Sequence, residues 1–193
     1  MRNNTPTREE AKEAVRILIK WIGDNPDRVE LLNTPARVVD SMKQMFPGYL
    51  IRPEDVFNNT MEMVEDYNDI ILLRNIKFVS YCEHHILPII GVANIAYLPD
   101  KKMVGIGKLA KIVEIFASRL QIQERMTVQI AEAIEDVLLP KGVAVTVEAA
   151  HYCMCKENNM HLLESKMYTS HMRGIFNTDQ GMKDKLRDLK FYS

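Results

Sequence analysis

An alternating pattern near the end of the chain constrains the fold more than any other feature of the sequence. From residue 143 to residue 155, every second position is apolar or carries a histidine or cysteine; the positions are Val143, Val145, Val147, Ala149, His151, Cys153 and Cys155. Side chains of a β-strand alternate between the two faces of a sheet, so we expect these to point the same way. The pattern predicts a long strand that leads an apolar face into a group of candidate metal ligands.

The other segments predict helices and strands in separate blocks. Thr7 and Glu10 form a capping box before an amphipathic helix, and Thr34-Pro35 predicts a second helix with Thr34 as N-cap. After residue 69 we expect strands at 71–73, 76–81, 91–97 and 103–106, helices at about 108–119 and 123–138, the long strand, a strand at about 166–176 and a short helix at about 179–190. This order is typical of an α+β fold with a largely antiparallel sheet. We place an N-terminal helical arm at residues 1–65 and an α+β body at residues 66–193.

Composition excludes several classes of function. The 193-residue chain has 25 basic and 26 acidic side chains and a net charge of −1, so it lacks the basic excess of a nucleic-acid or membrane-surface binder. No apolar run approaches the roughly 18 residues of a membrane-spanning helix. The three cysteines do not form the framework of a secreted disulfide-rich protein. We therefore expect a cytoplasmic protein with reduced thiols and with neither nucleic acid nor membrane as a partner.

The segment Cys82-Glu83-His84-His85 predicts part of a metal site. Cys82 and His85 are three positions apart in a turn after a predicted strand, a spacing that lets both side chains reach one ion. A third ligand must come from elsewhere, and His151-Tyr152-Cys153 offers two candidates. Three protein ligands with an open fourth position are typical of a catalytic zinc site, in which the ion lowers the pKa of a bound water toward neutrality.

The remaining histidines of the two motifs would lie beside the metal. If Cys82, His85 and Cys153 are the ligands, His84 and His151 are left to accept and donate protons near neutral pH. On the residues alone, a closed structural zinc site remains the alternative, with Cys155 or His151 as its fourth ligand. His161 and His171 lack such neighbours in the sequence, and we expect both at the surface.

Several segments together resemble the GTP cyclohydrolase I family. They are LNTPARVV from Leu32, SYCEHHILPIIG from Ser80, GIGKLAKIVE from Gly105, QIQERMTVQIAEAI from Gln121, GVAVTVEAAHYCM from Gly142 and SKMYTSHMRGIF from Ser165. The segments occur in the order that the family shows, and they cover about residues 30–180. A match across so many separate segments identifies the chain as similar to this family along most of its length.

The resemblance implies a fold, a reaction and a set of site residues. It implies the tunnelling fold, with two helices packed on an antiparallel sheet, and a homo-oligomer built as a decamer of two pentameric rings. It implies conversion of GTP and water to 7,8-dihydroneopterin triphosphate and formate, beginning at C8 of guanine. The matching positions make Cys82, His85 and Cys153 ligands of Zn²⁺, and His84 and His151 catalytic. The product would serve folate, biopterin or deazaguanine synthesis.

The resemblance also implies residues that bind the guanine nucleotide. Gln123 and Glu124 match the guanine-binding pair of the family, and an ionised carboxylate can accept both N1–H and the 2-amino group of guanine. On the residues alone, Glu124 is better explained as a negative charge at a helix start, where the helix dipole favours it, and only the resemblance favours guanine binding. Arg37 and Lys108 match residues that hold the phosphate chain, and Lys111 stands at a third position of that kind.

The departures from the family pattern concentrate on phosphate recognition. Gly107 stands where the family normally has serine, Lys111 where it has arginine, and Glu157 where it has a further arginine. Lysine keeps the positive charge but loses the two-pronged hydrogen bonding of a guanidinium, and a carboxylate would repel a triphosphate. Lys166 and Arg173 are candidates to compensate. Two alternatives follow: a paralogue acting on a different guanine nucleotide (dGTP, GDP or GMP), and a non-catalytic zinc protein that binds a purine or pterin.

Overall fold

The computed structural model describes residues 5–57, 61–62, 67–154, 164–189 and 191–192. The α-helices in these ranges are α1 (Arg8–Trp21), α2 (Thr34–Met45), α3 (Pro53–Val56), α4 (Ile106–Ala117), α5 (Gln123–Leu138), α6 (Ile175–Thr178) and α7 (Gln180–Asp188). The strands are β1 (Met61–Glu62), β2 (Ile71–Cys82), β3 (Pro88–Leu98), β4 (Lys102–Met103), β5 (Leu120–Gln121), β6 (Gly142–His151) and β7 (Met167–Gly174). The predicted α+β class is confirmed. In the described part of the chain, none of the helices combines the length and the apolar character needed to cross a membrane.

The chain divides into two compact units, Met1–Pro47 and Gly48–Ser193. In the first unit the predicted capping box is present, since the Thr7 hydroxyl accepts from the Glu10 N–H at 3.2 Å and the Glu10 carboxylate accepts from the Thr7 N–H at 2.7 Å. Helix α2 has Asn33, not Thr34, at its N-cap. The predicted boundary between the arm and the body, at residue 65, stays a prediction. The two units defined by internal packing meet after Pro47.

The second unit is built on a five-stranded sheet in the order β5-β2-β3-β6-β7. All neighbours are antiparallel except β2 and β5, which run parallel over two residues. The two strands predicted at 71–73 and 76–81 form the single strand β2, whose register shifts between Leu73 and Ile76. The predicted strand at 103–106 is shorter than expected, because α4 begins at Ile106.

The long predicted strand ends earlier than the alternation suggested. Strand β6 stops at His151, and Cys153 lies in a 3₁₀ turn, Tyr152–Met154. The prediction that Cys153 continues the strand is therefore wrong, and Cys155 lies outside the described residues. His171 is half-buried on β7 instead of lying at the surface, because it pairs with the buried Val145. His161 also lies outside the described residues.

The sheet is covered on both faces, which explains the apolar character of β6. Helices α4 and α5 cover one face, where a large buried cluster includes the alternating residues of β6, namely Val143, Val145, Val147 and Ala149. On the other face Ala144 joins a second cluster with Phe176, Leu186 and Phe191 of the C-terminal segment. A strand buried on both faces has a nearly continuous apolar sequence. The hydrophobic effect on both faces therefore holds β6 at the centre of the unit.

The close approach of β3 and β6 leads to a prediction about stability. Gly91 lies opposite Ala149, and a Cβ at Gly91 would come within 2.2 Å of the Glu148 carbonyl oxygen and 2.5 Å of the Ala149 Cβ. We predict that Gly91→Ala lowers the free energy of unfolding by about 1–3 kcal/mol, because the strands must separate to admit the methyl group. Denaturant titration measures this change.

Gly107→Ala is the matched control for the same substitution. A Cβ at Gly107 would meet no atom within 4 Å, and the residue lies in the first turn of α4. Alanine is a better helix former than glycine, so we expect this variant to be unchanged or more stable by up to about 1 kcal/mol. Equal destabilisation of the two variants would contradict the steric explanation at Gly91.

Candidate active site

The first predicted metal motif lies in a tight turn between β2 and β3. Cys82 ends β2; its N–H donates to the Leu87 carbonyl at 2.9 Å, and its own carbonyl accepts from the Ile86 N–H at 2.8 Å. Ile86 takes the left-handed conformation, with φ of 55°, which is unusual for a β-branched residue. The Glu83 N–H donates to the Gln121 carbonyl at 3.0 Å. The turn is therefore fixed both within itself and against β5.

The three predicted metal ligands converge. One ligand atom from each of Cys82, His85 and Cys153 lies within 4.8 Å of the others. Cys82 is buried, Cys153 is half-buried and His85 is exposed, so the group opens to solvent on one side. Two thiolates and an imidazole are a typical donor set for zinc. The donor atoms are thus both close enough and of the right chemical type to hold one metal ion.

The two predicted proton carriers, His84 and His151, are close to these ligands in the sequence. His84 is 65% exposed, and its Nδ1 lies 3.8 Å from the Cys82 Sγ. His151 ends β6 opposite Ile89. Burial lowers the pKa of the His151 imidazole, and the charge of Glu124 acts in the opposite direction. The lowered pKa keeps the His151 ring neutral near pH 7, which is the state that accepts a proton.

Gln123 is buried beside His151. Its side-chain Oε1 lies 2.8 Å from the His151 Nε2. Its Nε2 is within hydrogen-bond distance of the Val147 and Met167 carbonyls, both at 3.0 Å, and of the Thr169 hydroxyl at 3.1 Å. The residue is only 1% exposed. All of these partners are protein groups, so the prediction that Gln123 contacts guanine finds no support in them and stays a prediction.

The start of α5 brings two charged residues to the same region. Glu124 is exposed in the first turn of the helix, close enough to His151 for its charge to affect that pKa. Arg125 forms an ion pair with Glu83, which joins α5 to the turn after β2. Sequence reasoning missed this ion pair, because the partners are 42 residues apart and no local pattern connects them.

The predicted phosphate-binding residues are placed on helices. Lys108 and Lys111 lie on α4, and the Lys111 Nζ is 2.8 Å from a Glu114 carboxylate oxygen. Arg37 lies on α2, in the other compact unit. None of the contacts described above for the metal ligands and their neighbours involves these three, so their role in phosphate binding stays a prediction.

The residues proposed to alter or restore phosphate binding are also only partly described. Glu157 lies outside the described residues. Lys166 pairs with Glu148 and Arg173 pairs with Glu135, each at 2.7 Å. Both cations therefore have a carboxylate partner within the protein, and neither is placed to serve phosphate alone.

The converging ligands predict metal binding that two substitutions abolish. We expect the protein to bind about one divalent metal ion per chain, and Cys82→Ser and His85→Ala to lose it, since each removes one of three donors. Elemental analysis of the purified variants measures the metal content. His84→Ala is the matched control, because it removes the neighbouring histidine of the same turn and should keep the metal. Metal loss in His84→Ala, or full metal content in His85→Ala, would show that the donor set is different.

Comparisons with known proteins identify the family of the chain. The model of the family described as GTP cyclohydrolase I matches residues 11–190. A GTP cyclohydrolase 1 from Maricaulis maris is 47% identical over 97% of this chain and 91% of that protein, and one from Rickettsia felis is 52% identical over 91% of this chain and 92% of that protein. Among solved structures, an archaeosine synthase QueF-like protein aligns with a TM-score of 0.46 and 17% identity over 54% of this chain and 93% of that one. The chain belongs to the GTP cyclohydrolase I family.

Proposed function

We propose that this chain converts GTP and one water to 7,8-dihydroneopterin triphosphate and formate, with a zinc ion bound by Cys82, His85 and Cys153. The chain is an enzyme of the GTP cyclohydrolase I type. The observation that carries the finer proposal is the convergence of the three donor atoms within 4.8 Å of one another. The half-buried His151 lies two residues before Cys153 in the chain. This arrangement suits hydrolysis at a carbon of the guanine ring.

Zinc fits the donor set of this chain. When bound, the ion would activate a water for attack at C8 of guanine and stabilise the negative charge that develops. Cys82 and Cys153 would supply thiolates, and His85 an imidazole. In the described part of the chain three protein ligands converge, which would leave one coordination position for water or substrate, as in a catalytic zinc site.

The two remaining histidines would handle the protons of the reaction. A neutral His151 can accept a proton during attack at C8 and return it as the imidazole ring opens. His84 is largely exposed and so can exchange protons with solvent when formate leaves. The two histidines differ in burial, and this difference supports a role of His151 in the protected steps and of His84 in proton exchange with water.

Turnover tests this proposal directly. We expect the zinc-loaded protein to release formate and a product that is fluorescent after oxidation, in equal amounts, from GTP. Removal of the metal by a chelator should abolish both signals, and zinc should restore them. Nucleotide binding without formate would instead identify a non-catalytic binding protein.

Glu124 is the proposed contact for the guanine edge. Its carboxylate would accept from N1–H and from the 2-amino group, each a charge-assisted hydrogen bond. We predict that Glu124→Gln lowers kcat/KM for GTP by about 10- to 100-fold, since an amide presents one acceptor and one donor where two acceptors are needed. Steady-state kinetics with GTP and with ITP, which lacks the 2-amino group, measure the effect.

The comparison of the two nucleotides separates recognition from general damage. We expect the preference for GTP over ITP to shrink in Glu124→Gln, because the lost acceptor serves a group that ITP does not have. Glu132→Gln, at an exposed position of the same helix, is the matched control and should keep both rates. An equal loss with GTP and ITP would argue against Glu124 as the guanine contact.

The phosphate end of the site is the second point to test. Gly107 offers no hydroxyl and has open space around its Cα, and Lys111 already pairs with Glu114. We predict that the double variant Gly107→Ser, Lys111→Arg lowers KM for GTP about threefold to tenfold with little change in kcat. The added hydroxyl and guanidinium groups would donate hydrogen bonds to the phosphate oxygens. The same assay with dGTP, GDP and GMP shows whether the natural protein prefers another nucleotide. An unchanged KM would mean that these two positions do not contact phosphate.

Family membership also supports a homo-oligomer of two pentameric rings and a location in the cytoplasm. The mass of the zinc-loaded protein in solution, determined by light scattering, tests the assembly.

A further inference from the structure

We infer that Gln123 is a positioning residue that fixes the orientation and the tautomer of the His151 ring. The inference rests on the proposed function, because it takes His151 as a group that transfers protons in the reaction. It begins from the contact of 2.8 Å between the Gln123 Oε1 and the His151 Nε2. Gln123 itself has no place among the proposed metal ligands.

The orientation of the Gln123 amide is fixed by its other partners. Its Nε2 faces the carbonyl oxygens of Val147 and Met167, each at 3.0 Å. Carbonyl oxygens only accept hydrogen bonds, so the amide nitrogen must lie on that side. Turning the amide over would place its own oxygen against two other oxygens. The Gln123 Oε1 therefore faces His151, and this assignment follows from chemistry rather than from the naming of two similar atoms.

The fixed amide decides which nitrogen of His151 carries a hydrogen. An amide oxygen accepts, so the His151 Nε2 must donate. In the neutral ring the other nitrogen, Nδ1, then holds the lone pair. The same hydrogen bond also restrains rotation of the ring about its χ2 bond. Gln123 thus selects one of the two neutral tautomers and holds it in one orientation.

A ring of hydrogen bonds locks Gln123 in turn. The Thr127 hydroxyl donates to the Gln123 backbone carbonyl at 2.8 Å, which uses its single hydrogen. In its contact of 2.7 Å with Thr169, the Thr127 oxygen must therefore accept, and the Thr169 hydroxyl donates. The Thr169 oxygen in turn accepts from the Gln123 Nε2 at 3.1 Å, and the two amide hydrogens are shared among Thr169 and the Val147 and Met167 carbonyls. Each hydrogen bond in this ring has one permitted direction.

Burial and the fold make this ring rigid. Gln123 and Thr127 are each 1% exposed, and hydrogen bonds in such surroundings are stronger than in water. The three residues come from α5 and β7, and the amide also reaches β6 through Val147, which pairs with Thr169 in the sheet. Misplacement of a reacting group by about 1 Å can reduce a rate about 100-fold. We therefore expect loss of the rigid support for His151 to lower kcat strongly.

Kinetics of one isosteric substitution test the inference. Gln123→Met keeps the length of the side chain and removes the acceptor for His151. We expect kcat for GTP to fall about 100-fold while KM changes by less than about threefold, since Gln123 acts on the reacting group and not on bound substrate. Thr127→Val, which breaks the supporting ring but leaves the amide, should give a smaller loss of kcat. Gln129→Met is the matched control on the same helix. It removes the same amide group and loses a partly buried hydrogen bond from Gln121, which does not involve His151.

A spectroscopic signature separates positioning from a general loss of structure. In the zinc-loaded protein labelled with ¹⁵N in its histidine rings, magic-angle-spinning NMR reports which nitrogen of each neutral ring is protonated, and His151→Gln assigns the signal. We expect the natural protein to show His151 protonated at Nε2 and Gln123→Met to show a mixture of tautomers. Gln129→Met should match the natural protein.

The outcomes distinguish this inference from the proposed function. A His151 signal protonated at Nδ1 in the natural protein, or a raised KM with unchanged kcat in Gln123→Met, would overturn the inference. The second result would mean that Gln123 contacts the substrate itself. If the natural protein gave no formate from GTP, the proposed function would fail, yet the ¹⁵N signals would still report whether Gln123 sets the tautomer. If Gln123→Met failed to fold, the natural spectrum and Thr127→Val would still decide the matter.

Discussion

The antiparallel pairing of β3 with β6 is the interaction on which the candidate active site depends. Strand β3 begins just after the turn that holds Cys82 and His85, and β6 ends at His151, just before Cys153. Their register sets Ile89 opposite His151 and continues without a break to Leu98 opposite Gly142. This pairing brings together two motifs that lie far apart in the sequence. A slip of one residue would turn His151 to the other face of the sheet and separate it from its partners.

The register is itself enforced by burial on both faces of β6. One set of alternating side chains packs under α4 and α5, and the other set packs against the C-terminal segment. Shifting the strand by one position would exchange the two sets, and side chains of a close-packed core cannot be exchanged without loss of packing. Gly91 adds a steric condition, because only a residue without Cβ lets β3 approach Ala149 so closely. The core therefore sets the geometry of the polar end of the sheet.

The polar residues around the metal ligands are organised from the buried side outward. Gln123, Thr127 and Thr169 have fixed partners within the protein, whereas Glu124, His84 and His85 are exposed. The ion pair between Glu83 and Arg125 joins the turn after β2 to the start of α5. Glu124, the residue proposed to bind guanine, lies in this first turn of α5.

The sequence by itself determined the candidate metal-binding residues, several helices and strands, and the family. The Cys-x-x-His spacing, the cysteine after His151 and the capping box of α1 are local features, and each follows from short-range geometry. Helix α5 was predicted at its observed limits because its apolar residues recur with helical period. Only the tertiary structure decided that Cys153 leaves the strand for a 3₁₀ turn, that Glu83 pairs with Arg125, and that the side chain of Gln123 points to His151. The two contacts join residues of different strands and helices, so no local sequence pattern predicts them. The distances between these elements are set by the packing of the whole sheet.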